Sequence, residues 1–156
     1  MSSHAFFVSF INRRNRELVG MKTYRIMGFF TKKLRLQFSG FELSAITKLA
    51  LAMAHADGKI EETELACIAL ELMRFGIEDS SPILNGAEAM DAALAMAVVE
   101  KMDSTRKKYV AAYLGVVMAS DGNIDDNELA MWKLTSTFCN LPAMTIKEAA
   151  KFITEL

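Results

Sequence analysis

"LALAMAHADGKIEETELACIAL" (Leu49–Leu70) and "YLGVVMASDGNIDDNELAMWKL" (Tyr113–Leu134) are two passages of one chain, 64 residues apart. Each carries apolar residues at three- and four-residue steps, then Asp-Gly-x-Ile-x-x-x-Glu, then apolar residues at helical spacing again. That order predicts a helix, a sharp turn and a second helix, used twice. Shifted by 64 residues, Ile46 meets Val110, Leu49 meets Tyr113 and Met53 meets Val117. Beyond the turns, Leu65 meets Leu129 and Leu70 meets Leu134. Two copies of so long a unit make no solenoid; they predict two helix–loop–helix hairpins packed about a pseudo-twofold axis.

Working outward, the remaining segments are helical too. A stripe from Phe41 through Leu43, Ile46, Leu49 and Met53 forms the first helix of the body, and Glu61 to about Phe75 a second, ended by Gly76. Ser80-Ser81-Pro82 reads as a turn. Ala87 to Met102 is apolar nearly all round and is expected as one central core helix. Ser104 is expected to cap a helix to Ala119, Asp125 another to about Phe138, and Thr145 a last one. With an amphipathic helix over Met27–Phe38, the expectation is an all-α, compact bundle of about seven helices. No alternation of apolar and polar residues is long enough for a strand.

A chain of 156 residues suits one domain, and its two prolines and 52% apolar residues favour a packed globule. Cys67 and Cys139 lie in different segments, without metal-ligand spacing, and read as small core residues of a reducing compartment. His4 and His55 are the only imidazoles, so nucleophilic hydrolysis is poorly supplied. His55, two residues before Asp57, reads as a surface or core-edge histidine. The reading is non-enzymatic. Helical spacing likewise makes the eleven methionines core filling and no soft-metal site.

Charge divides the chain. Residues 1–40 carry eight basic side chains against one acid, Glu17; the remainder carries 10 basic against 18 acidic. The expected organisation is a basic arm at 1–26, disordered or preceding the true start, and a helical domain at 27–156. The arm's "AFFVSFI" is too short to span a membrane, and its charges follow the apolar run, the reverse of a secretory signal. Arginine-rich and nearly acid-free, it suits peripheral contact with an anionic membrane surface. The acidic body argues against nucleic acid.

The duplicated turn is half of a calcium loop. With Asp57 at loop position 5, Gly58 falls at 6, Glu61 at 9 and Glu64 at 12; Asp121, Gly122, Asp125 and Glu128 repeat the set. Positions 1 and 3 are Met53 and His55, or Val117 and Ala119, so an ordinary calcium hand is excluded. Every residue also has a structural role: Asx-turn aspartates, glycines at positive φ, and Ile60 and Ile124 plugging the core. In the second copy Asp125 is an N-cap with Glu128 at N3, an acidic capping box, whereas Glu61 caps poorly in the first. Against this stands a count of eight carboxyls in the two loops with Lys59 alone for relief. Were the loops adjacent, repulsion would raise carboxyl pKa values or recruit a hard divalent cation such as calcium or magnesium.

The two quoted passages resemble the TerB-like family: the tellurite-resistance TerB proteins and the related N-terminal domain of a membrane-anchored J-domain co-chaperone. The resemblance spans about 28–156. It implies a cytoplasmic bacterial domain of roughly seven helices, at times on the inner face of the membrane. It further implies a protein partner in a stress or metal-resistance system and a divalent cation held through Asp57, Glu64, Asp121 and Glu128. From the loop positions, Glu61 and Asp125 join that candidate set.

Overall fold

A computed structural model describes residues 36–156, apart from Asp57, Ile60, Glu61 and Asp121. The basic arm and most of the expected Met27–Phe38 helix lie outside the described residues. Within them the chain is all-α, with seven helices and no strand. They are α1 (Gly40–Ala54), α2 (Glu62–Arg74), α3 (Ser81–Ala89), α4 (Ala92–Glu100), α5 (Ser104–Ala119), α6 (Asp126–Phe138) and α7 (Ile146–Glu155).

Short polar side chains start most of these helices. Ser39 caps α1, with Glu42 returning the bond to the Ser39 amide at 2.7 Å. Asp91 and Asp103 accept from the amides of Leu94 and Arg106 to open α4 and α5. Thr145 and Glu148 form a reciprocal capping box on α7. Each such cap satisfies an amide that the first helical turn leaves without an intrahelical partner.

Three expectations are corrected. Ser80-Ser81-Pro82 opens α3, since proline fits the first turn of a helix, where its missing N–H costs nothing. The single helix expected over Ala87–Met102 is two, because Met90 adopts extended backbone and Asp91 caps a fresh start. The cap of α5 is Asp103, one residue before Ser104. The described end of the Met27–Phe38 stretch, from Leu36 on, has no regular structure; Phe38 packs edge-on to Phe75 and tilted against Tyr109.

The centre of the core is α5, and not the Ala87–Met102 stretch. Tyr109 through Leu114, with Val117 and Met118, are all buried, whereas Leu94 of α4 is 45% exposed. The helices α1 and α5 pack together, and α2 and α6 each pack across both. The helix α3 covers α1, and α7 covers α5. Close approach is possible where side chains are small. A Cβ added at Gly86 of α3 would lie 3.0 Å from Ser44 Cβ, and Ser44 Oγ donates to the Ile83 carbonyl at 3.1 Å. A Cβ at Gly115 of α5 would touch Ala149 Cβ of α7 at 3.4 Å. Among the described residues no single helix is long and apolar enough to cross a membrane.

Candidate functional site

The two acidic turns are built on the same backbone bonds. After α1, the Ala56 amide donates to Met53 O at 3.2 Å and the Gly58 amide to His55 O at 2.9 Å. After α5, Ser120 donates to Val117 O at 3.2 Å and Gly122 to Ala119 O at 3.1 Å. Gly58 and Gly122 then take φ of 82° and 80°, the left-handed region that a side chain disfavours. The far ends of α2 and α6 also close alike. Ile77 donates to Leu72 O and Leu141 to Ser136 O, around Gly76 at φ 75° and Asn140 at φ 51°.

Of the six candidate ligands, Asp57, Glu61 and Asp121 lie outside the described residues. The other three are placed. Asp125 caps α6, its Oδ1 accepting from the Asn127 amide at 2.7 Å. Glu128 Oε2 accepts from the Asp125 amide at 2.9 Å, completing the expected capping box. Glu64 occupies the matching place in α2. Both glutamates are buried, at 1% and 3% exposure, an unusual condition for a carboxylate. Among the described residues no three His, Cys, Asp or Glu side chains converge as a metal centre. Ile124 is 42% exposed and does not plug the core; Ile60 lies outside the described residues. His55 is exposed, and its carbonyl belongs to the turn.

A second polar cluster, missed by the sequence reading, lies inside the bundle. Tyr109 Oη donates to Glu71 Oε1 at 2.7 Å, and Arg74 Nη1 lies 3.3 Å from both Glu71 oxygens. The same Nη1 donates to the Ile153 carbonyl of α7 at 3.2 Å. Glu71 and Arg74 are each 3% exposed. Burial raises the Glu71 pKa, opposed by the Tyr109 hydrogen bond and the Arg74 charge. Burial, followed by the Glu71 and Glu64 charges, pushes the Cys67 thiol up to about 12. Burial raises Cys139 to about 11, and its Sγ contacts the Met96 carbonyl at 3.5 Å. Both thiols are therefore held protonated and unreactive at neutral pH. The Glu71–Arg74 spacing of three on a helix was the available signal, but it is common on solvated faces.

No protein-family model matches the chain, and no curated protein matches it. Among solved structures it is similar to the crystal structure of the protein of unknown function PG1108 from Porphyromonas gingivalis. The two are 51% identical, with 78% of this chain and 99% of that chain covered and a TM-score of 0.69. Such identity over nearly the whole of the relative shows common descent: the chain belongs to the same family as PG1108.

Proposed function

We propose that this chain is a non-enzymatic, acidic helical domain that binds a divalent cation weakly at its two Asp-Gly-x-Ile-x-x-x-Glu turns. It works with a protein partner in a stress or metal (tellurite) resistance system, as the resemblance to the TerB-like proteins implies. The observation that carries the cation reading is the burial of Glu64 and Glu128, one behind each turn. The donor set is all oxygen, which fits calcium or magnesium better than zinc or copper. Glu128 gives one oxygen to the Asp125 amide, and a carboxylate has lone pairs to spare beyond that bond.

The test is a melting curve of the full chain with calcium, magnesium or neither. Calcium at millimolar concentration is expected to raise the midpoint, and Asp57→Asn with Asp121→Asn to abolish the rise. An unchanged midpoint in the parent protein would remove the cation from the proposal.

The second reading is a protein–protein interaction module whose turns are purely structural. It is favoured by the capping box, which already occupies Asp125 and Glu128 with backbone amides. Leu134 and Phe138, four residues apart on α6 and 56% and 60% exposed, supply an apolar strip toward the far end of that helix. On this reading, removing the strip with Leu134→Ser and Phe138→Ser abolishes partner capture, while metal has no effect on it.

A further inference from the structure

We propose that residues 27–35 of this chain dock on α5 as α4 docks on α1. The duplication reaches further in the structure than the paired turns require. The helices α1 and α5 begin 64 residues apart, at Gly40 and Ser104, and so do α2 and α6, at Glu62 and Asp126. The N-caps Ser39 and Asp103 keep the same interval, as do the left-handed residues Gly58 and Gly122, and Gly76 and Asn140. The closing helices α3 and α7 follow it to within a residue at their starts. Among the described residues only α4 has no counterpart. It precedes the second hairpin and packs chiefly on α1 of the first, which α3 also covers. The matching helix, α5, has one such cover among the described residues, α7.

The sequence before α1 fits that place. Four residues without regular structure, 36–39, precede α1, against three, 101–103, between α4 and α5. Allowing for that one extra residue, Ala92–Glu100 aligns with 27–35. The positions that α4 buries, Ala95, Met96 and Val99, then become Phe30, Thr31 and Leu34, whose two large apolar members are one helical turn apart. Those that α4 exposes, Leu94, Ala97 and Glu100, become Phe29, Lys32 and Arg35. Lys33 takes the half-buried edge position of Val98, from which a lysine stem covers apolar surface while its ammonium stays in water. The point of entry fits as well. Leu36 is half-buried against the core, and the Phe38 ring is tilted against Tyr109 of α5 with centroids 5.3 Å apart. Met102, 64 residues after Phe38, sits in the core in the same way, just after α4.

So short a helix is marginal by itself in water, so slow amide exchange over this segment requires tertiary packing. Hydrogen exchange of the full chain, followed by mass spectrometry, is expected to show amides 30–35 slowed about ten-fold or more relative to an unstructured peptide, at every protein concentration. Phe30→Asp with Leu34→Asp should abolish that protection and lower the thermal midpoint. Phe29→Asp, at an outward position, should leave both unchanged. If the double variant does not fold, exchange of the parent protein decides the matter. Unprotected amides over 30–35 in the parent, or an equal loss of midpoint from Phe29→Asp and from the double variant, would overturn the docking. Protection that appears only as protein concentration rises would give the site to a second copy and overturn docking within one chain.

Discussion

Tyr109 places a phenol hydroxyl against a carboxylate in the middle of an apolar bundle, and the consequences are confined to a few atoms. Tyr109→Phe leaves the ring contacts with Phe38, Phe75 and Tyr113 but removes a donor from buried Glu71. The expected loss is about 1–3 kcal/mol in urea unfolding, the penalty for a buried polar group left short of a partner. Glu71 also sets a pH dependence. Its folded pKa is raised, so the stability it contributes is present below the ordinary carboxylate value and lost as pH rises through the raised one. Unfolding of the parent and of Glu71→Gln across that range checks the sign: the difference should move in favour of the variant as pH rises. Movement the other way would mean that Arg74 and Tyr109 outweigh desolvation. The turn glycines act at the same scale. A Cβ at Gly58 or Gly122 meets nothing within 4 Å, so only the left-handed backbone resists a side chain. Gly122→Ala is therefore expected to cost about 1 kcal/mol, measured by thermal unfolding, and Gly122→Asn less.

The helices were legible because their signals are local. Apolar stripes gave α1, α2, α5 and α6, and the Thr145 cap and the Asp125/Glu128 box were visible as residue types at fixed positions. What failed depended on tertiary context. Only Glu88 and Asp91 interrupt the apolar character of "GAEAMDAALAMAVV" (Gly86–Val99), and Asp91 restarts the helix there, with α3 and α4 both packed on α1. Ile124 looked like a core plug by composition, but the side chain that turns inward behind that loop is the acid, Glu128. The Glu71–Arg74–Tyr109 cluster escaped notice since Tyr109 comes from a different helix, α5, 38 residues from Glu71. Glu128→Ala tests the element directly. Loss of the capping box should lower stability by about 1 kcal/mol and loosen the start of α6 in hydrogen exchange, with α1 unaffected. The carboxylates of Asp79 and Glu148, which accept from backbone amides, contribute in the opposite pH sense to Glu71. Their pKa values are lowered by hydrogen bonds from the Ser81 and Thr145 amides. The stability they add is present above the ordinary carboxylate value and lost as pH falls through the lowered one.

At the scale of the whole molecule, the all-helical architecture and the relationship to PG1108 define what the chain is built from. The six candidate ligands divide between two turns on the same backbone frame, and only Glu64, Asp125 and Glu128 are described there. Sequence showed the duplicated acids plainly; whether their carboxylates meet depends on the packing of the two hairpins, which no local pattern encodes. Calorimetric titration of the full chain with calcium, beside its Asp57→Asn, Asp121→Asn double variant, tests the cation reading most directly. A saturable binding heat in the parent protein that disappears in the double variant is the predicted result. No heat at millimolar calcium, or equal heats in both proteins, would contradict it.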